Sequence, residues 1–144
     1  MANYYLRLVV QTRANFEVID LTERVQSCIT SSGIAEGIAV VSSLHTTVAV
    51  VVNENEPRLL EDIREQFLRL LPPDGNYRHN DLHLRDCPPD EPENAHAHLI
   101  AMMLGNSVTL SVHLGRLDLG DWQALLMIEL DGPRLRQVAV QVLG

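Results

Sequence analysis

Gly37 to Asn53 reads GIAVVSSLHTTVAVVVN. Two runs dense in Val, Ile and Ala flank a polar break from Ser42 to Thr46, and each run is strand-length. Continuous β-branched runs describe strands covered on both faces, so the chain places two buried strands here with a turn or an irregular strand end between them. His45 stands in that break. Upstream, Tyr4 to Val10 alternates, with Leu6, Leu8 and Val10 on one face, as a strand with one better-buried face does. Asp20 with Glu23 three positions later has the form of a capping box opening a short helix. Its apolar stripe is Leu21, Val25, Cys28 and Ile29, and Gly33 lies just beyond its end. Cys28 is thereby a core residue.

Downstream, Pro57 suits a first helical turn, and Leu60, Ile63, Phe67, Leu70 and Leu71 recur at helical spacing until Pro72-Pro73 stops them. Residues 73–93 have no periodicity and hold several prolines, acidic residues, His79 and His83. A loop this long in a small domain is usually functional or disordered. Asn94 reads as the N-cap of a third helix, with Ala95, Leu99, Met102 and Met103 inward and Gly105 as its stop. The rest is β-like: Ser107 to Val112, Arg116 to Leu119, Trp122 to Leu130 and Arg134 to Val142, with Asp131-Gly132-Pro133 as turn chemistry. The pattern predicts one α+β domain over residues 1–144, with about three helices.

Composition narrows the function. Nineteen acidic against eleven basic residues give a net charge of −8, which opposes general nucleic-acid binding while leaving room for one local phosphate site. The opening Met1-Ala2-Asn3-Tyr4-Tyr5 has neither a basic nor an apolar leader region, and no apolar run is long enough to span a bilayer. Two cysteines are too few for a disulfide framework, so a cytoplasmic protein with free thiols is expected.

Six histidines cluster at polar breaks. Imidazole is the commonest metal-ligating side chain, and three such ligands with an open position make a catalytic zinc site. His96 and His98 lie about 200° apart around a regular helix, so only one of them belongs to a shared site. One histidine from each segment gives the constellation His45, His79 and His98, although any one of them alone is more often an ordinary polar residue. Glu54 stands at a strand-to-helix junction, where it serves a site or the helix dipole equally well. Glu129 lies inside an apolar strand and needs a partner, Arg134 or Arg136. An ion pair is the commoner outcome there, and a general base is the functional alternative. Gly105-Asn106-Ser107 and the turn before Arg134 are candidate anion contacts. Trp122 packs in the core or stacks on a flat ring. Walker and Rossmann glycine patterns, a nucleophile elbow and a Cys-x-x-Cys pair are absent.

Taken in order, His45-Thr46-Thr47, Asn53-Glu54, His79-Asn80, the run Asn94 to Leu99, the run Gly115 to Gln123 and the closing ELDGPRLR resemble the YjbQ-like family through essentially the whole chain. The resemblance implies a β-sandwich-like core, a homotrimer and a weak thiamine-phosphate synthase activity. In that reaction a pyrimidine pyrophosphate joins a thiazole phosphate and releases pyrophosphate. It also implies a site in which His45, His79 and His98 hold a divalent metal, zinc or another imidazole-preferring ion, or otherwise a bound phosphate or sulfate. His45, Glu54 and Glu129 are then the catalytic candidates. Thr46, Thr47, Asn53, Asn80, Asn94, Ser107, Trp122, Gln123 and Arg134 are the candidates for holding a small phosphorylated substrate. The sequence departs from the family at His96, where an acidic residue is frequent, and at Ser111, where a proline is. A metal-dependent phosphohydrolase and a non-catalytic small-ligand-binding oligomer are the competing functions.

Overall fold

A computed structural model describes residues 1–144. Strands β1 (Asn3–Gln11) and β2 (Glu17–Asp20) precede helix α1 (Thr22–Ser32). Strands β3 (Gly37–Ser43) and β4 (Val48–Asn53) follow, then helix α2 (Pro57–Leu70). Two single 3₁₀ turns, Arg78–Asn80 and Leu82–Leu84, sit in the long connection to α3 (Ala95–Leu104). The chain closes with β5 (Ser107–His113), β6 (Arg116–Leu117), β7 (Ala124–Glu129) and β8 (Leu135–Leu143). The strands form two antiparallel sheets. The larger has the order β1-β8-β3-β5-β6, and the smaller is β2-β7-β4.

The expected α+β sandwich with three helices is what forms, and Gly37–Asn53 explains its layout. Its two apolar runs do not pair with each other: β3 joins the large sheet and β4 the small one. The break carrying His45 is therefore the crossover between the two layers. The first core joins Leu8, Val41, Val138 and Val140 of the large sheet to Val48, Val50, Leu125 and Met127 of the small one, with Val25, Cys28 and Ile29 of α1 closing it. The opposite face of the small sheet, Ala49, Ile128 and Leu130, packs on Ala97, Ile100 and Ala101 of α3. β4 is covered on both sides, which is why it reads as an unbroken apolar run.

Several expectations need correction. Helix α1 has Leu21 at its N-cap with no side-chain bond there. Asp20 instead accepts the Thr22 N–H at 2.8 Å, one residue short of the Glu23 N–H that a capping box from Asp20 would engage. Gly33 does terminate the helix, at φ +69°. Helix α2 buries no residue fully. Phe67 and Leu71 reach the second core, together with Leu68, while Leu70 faces solvent. Helix α3 keeps only Ala95 of the expected inward set: it is buried with Ala97, Ile100 and Ala101, while Leu99, Met102 and Met103 are exposed. Small side chains allow close helix-on-sheet approach, and that face wins over the one with the larger apolar residues. β2 carried too short a pattern to be read from sequence, β6 ends at Leu117, and β7 begins only at Ala124. Trp122 is outside the core, 77% exposed.

Candidate functional site

The crossover loop fixes His45 through its own backbone and through β8. Ser43 Oγ accepts the His45 N–H at 3.1 Å, and the Gln137 backbone N–H donates to His45 Nε2 at 2.8 Å. With Nε2 committed as an acceptor, the neutral ring carries its proton on Nδ1. His98 faces the same hollow from α3. His45, Thr46, Val48, His98, Met102 and Asn106 border a cavity of about 420 Å³. A neighbouring polar hollow of about 360 Å³ shares His45, Thr46 and His98 and adds Thr47, Asn94, Asp131, Arg134 and Arg136. The helical spacing of His98, Ala101, Met102 and Gly105 puts all four on the α3 stripe that lines the first cavity.

The turn after β7 builds the other wall. Gly132 leaves no room for a side chain, because a Cβ there would come within 2.9 Å of Thr12 Oγ1 and would meet the Ala14 carbonyl. Asp131 then gathers two donors on its Oδ2, Asn94 Nδ2 at 2.7 Å and Arg134 Nη2 at 3.0 Å, while Arg134 Nε donates to the Asp131 carbonyl at 2.8 Å. Arg134 is held in place and keeps further N–H groups free for an anion. Beneath it lies a closed network. Arg136 donates to both oxygens of Glu129, at 2.7 Å from Nε and 2.5 Å from Nη2, and also to Thr47 Oγ1 at 2.9 Å. Thr12 Oγ1 donates to Glu129 at 2.9 Å, and the backbone N–H groups of Leu130 and Asp131 complete its shell. Glu129 is completely buried. Burial raises its proton affinity, but the bonds from Arg136, Asp131 and Thr12 outweigh that and hold the carboxyl below its ordinary value.

This corrects the role of Glu129. Every lone pair it offers is engaged and none faces the hollow, so it is the ion-pair partner of Arg136 and not a base. Thr47 is likewise a buried brace for Arg136. Asn94 sits at the N-terminus of α3 but does not cap it. Asn80 does, its Oδ1 accepting the Ala95 N–H at 3.1 Å. Of the backbone donors at Gly105-Asn106-Ser107, the Gly105 N–H is taken, closing α3 on Ala101. Gly105 and Asn106 border the first cavity, whereas Ser107 is exposed at the start of β5.

His79 approaches His98 from the side away from the polar hollow. The two rings meet edge to face with centroids 4.8 Å apart, and His79 Nε2 is buried without a partner. His45 and His98 both lie below the ordinary histidine value. Burial is the main cause in each case, assisted by Arg136 at His45 and by His79 at His98. Both rings are therefore neutral near pH 7. The three imidazoles do not fit a shared metal ion within this chain. No group of three His, Cys, Asp or Glu side chains converges on one point, and His45 Nε2 is already taken.

Asn53, Glu54, Trp122 and Gln123 form a separate group. Register pairs Val48 with Glu129 and Asn53 with Ala124, so this group lies at the far end of β4 and β7. Five residue steps separate it from the histidine end by about 17 Å. Gln123 Oε1 accepts the Gly120 N–H, and Asn53 Oδ1 accepts the Glu54 N–H. The dipole-facing carboxylate of α2 is Glu56, which accepts from Arg58 and Leu59, and not Glu54. Arg136, Asp131 and Thr12 are the site-supporting residues that sequence reading passed over or left undecided. The signal available for Arg136 was a buried carboxylate seven residues earlier.

An α+β sandwich with a histidine- and arginine-lined hollow at its layer crossover defines the class. The model of the UPF0047 protein YjbQ-like family matches residues 6–144, and the chain belongs to that family. A UPF0047 protein of Archaeoglobus fulgidus is 42% identical over 138 residues, covering 96% of this chain and 100% of the relative. One from Methanothermobacter thermautotrophicus is 42% identical over 144 residues, covering 100% of this chain and 94% of its own length. Among solved structures, a YbjQ-like protein of unknown function from Sulfolobus solfataricus superposes with a TM-score of 0.88 at 37% identity, covering 99% of this chain and 97% of that one. A hypothetical protein from Aeropyrum pernix gives a TM-score of 0.88 at 41% identity, covering 97% and 98%.

Proposed function

We propose that this chain is a transferase for small phosphorylated substrates, of the thiamine-phosphate synthase type. The reading is carried by one observation: His45, Thr46, His98 and Arg134 border a single polar hollow whose two carboxylates, Asp131 and Glu91, are already ion-paired with Arg134 and Arg85. Such a surface suits an anion. In the proposed reaction the thiazole nitrogen attacks the methylene carbon of the pyrimidine pyrophosphate. The carbon–oxygen bond breaks, and pyrophosphate leaves with the electron pair. In this reading the free N–H groups of Arg134, the Nδ1–H of His45 and the Thr46 hydroxyl receive the charge that develops on the leaving oxygen. No proton need be removed by Glu129.

The bound phosphate alternative is preferred over a resident three-histidine metal, because the donor set does not converge. The second group, Asn53, Glu54, Trp122 and Gln123, enters the same reaction only if another copy of the chain brings it to the hollow. This reading therefore includes the homotrimer, in a cytoplasmic protein with no helix long and apolar enough to cross a membrane. The deciding assay supplies the two phosphorylated halves and measures thiamine phosphate and pyrophosphate, with light scattering on the same sample. Product formation that is lost in His45→Ala supports the reading. Hydrolysis of simple phosphate esters without coupling would favour the phosphohydrolase, and saturable ligand binding without turnover would favour the binding oligomer.

A further inference from the structure

Helix α3 sends its two histidines to opposite sides, and His96 opens into a different cavity of about 320 Å³ between α2, α3 and the Asn15–Phe16 segment. Its volume is at the lower end for small-molecule sites. The floor is apolar, built by Phe16, Leu68 and Leu130, which also belong to the second core. His96 also lines the cavity, and its Nδ1 is shielded from solvent and has no hydrogen-bond partner. Unpaired buried nitrogens are uncommon in native proteins and call for a specific explanation. The rim carries Arg64 and Glu93, and neither takes part in any ion pair of the structure. A bare anion here would face Glu93, a bare cation would face Arg64, and both would leave the apolar floor uncovered.

We infer that this cavity binds a small zwitterion with an apolar body, of the α-amino acid class. The carboxylate lies against Arg64, the ammonium against Glu93, and the side chain covers Phe16, Leu68 and Leu130. A head-group atom completes the hydrogen bonding of His96 Nδ1. Asp131 borders both this cavity and the histidine hollow, so an occupant here touches the wall that holds Arg134. The inference does not depend on the transferase reading.

Calorimetric titration of the full chain with L-leucine and L-phenylalanine tests it. Saturable binding of at least one is expected, with N-acetyl-L-leucine and L-leucinamide each weaker by about tenfold or more, because each blocks one charge. Arg64→Gln, at an exposed position, and His96→Gln each weaken binding by a similar factor, while His45→Ala leaves it at the wild-type level. Thermal unfolding checks that every variant is folded. Absence of saturable binding by both amino acids overturns the inference. So does equal affinity for the blocked derivatives, or loss of binding in His45→Ala with retention in Arg64→Gln.

Discussion

The Gln137 backbone N–H donates to His45 Nε2 across 2.8 Å, tying the crossover loop to β8, which lies between β1 and β3 in the large sheet. That bond fixes which nitrogen of His45 carries the proton, leaving Nδ1–H as the donor of a ring that borders the hollow. A histidine used in this way acts in its neutral form. Burial, reinforced by Arg136 and Arg134 and only partly offset by Glu129, keeps it neutral at lower pH than usual.

His45→Ala is expected to lower the proposed transferase rate by about 10²-fold or more, the scale for losing a positioned donor in the transition state. His45→Asn, which retains an N–H donor, recovers part of it. The wild-type rate should hold its plateau below the ordinary histidine value of 6.5 before it falls with acid. A pH–rate profile with its acid limb above 6.5 contradicts the assignment.

Much of this was readable from the chain, and the failures share a cause. The apolar runs around His45 announced two buried strands, and the carboxylate inside an apolar strand announced its arginine. Which residue partners which was not readable. Asn94 has the right spacing to cap α3, yet Asn80 does so from fifteen residues away, because the 3₁₀ turn at Arg78–Asn80 docks on the helix end. The α3 face was misjudged because side-chain size was weighted over closeness of packing. The separation of Asn53 and Trp122 from the histidines follows from strand register, which no local motif encodes.

Glu129→Gln leaves Arg136 buried with its charge uncompensated and is expected to cost about 3–5 kcal/mol in denaturant unfolding. A double replacement, Glu129→Leu with Arg136→Met, should cost less than the two single changes summed, since no charge is left alone. The pH dependence has a definite sign. The folded-state value of Glu129 is depressed, so its contribution is fully present above the unfolded value of 4.5 and is lost as pH falls through the folded value. The depressed imidazoles of His45, His96 and His98 act in the same direction from 6.5 downward, because the unfolded chain binds protons that the folded one disfavours. The exposed His113, raised by its bond to Glu36, acts the opposite way near and above 6.5, so the expected fall in stability is read from pH 6 to pH 4.

Asn80→Ala removes the only side-chain cap of α3 and is expected to cost about 1 kcal/mol. Asn80→Asp, which keeps an acceptor at the positive end of the helix, should be nearly neutral. Asn94→Ala acts differently. It frees one side of Asp131, so it should alter anion affinity at Arg134 more than it alters the unfolding midpoint. Paired measurement of melting temperature and pyrophosphate affinity in the two variants separates the roles.

Pyrophosphate itself should raise the melting temperature, since a ligand that binds only the folded chain at a hundred times its Kd adds about 2.7 kcal/mol. The gain should shrink in Arg134→Ala, which removes the guanidinium bordering the hollow while leaving the buried Arg136–Glu129 pair intact. It should also shrink with added salt, because Arg134 is half-exposed and its attraction for an anion is screened. Treatment with a chelator should leave both the melting temperature and the pyrophosphate response unchanged, given that no three ligands converge within the chain. A melting temperature that drops on chelation and returns with zinc would mean that His79 and His98 complete a metal site with a ligand from another copy. The anion reading of the hollow would then give way to a metal-centred one.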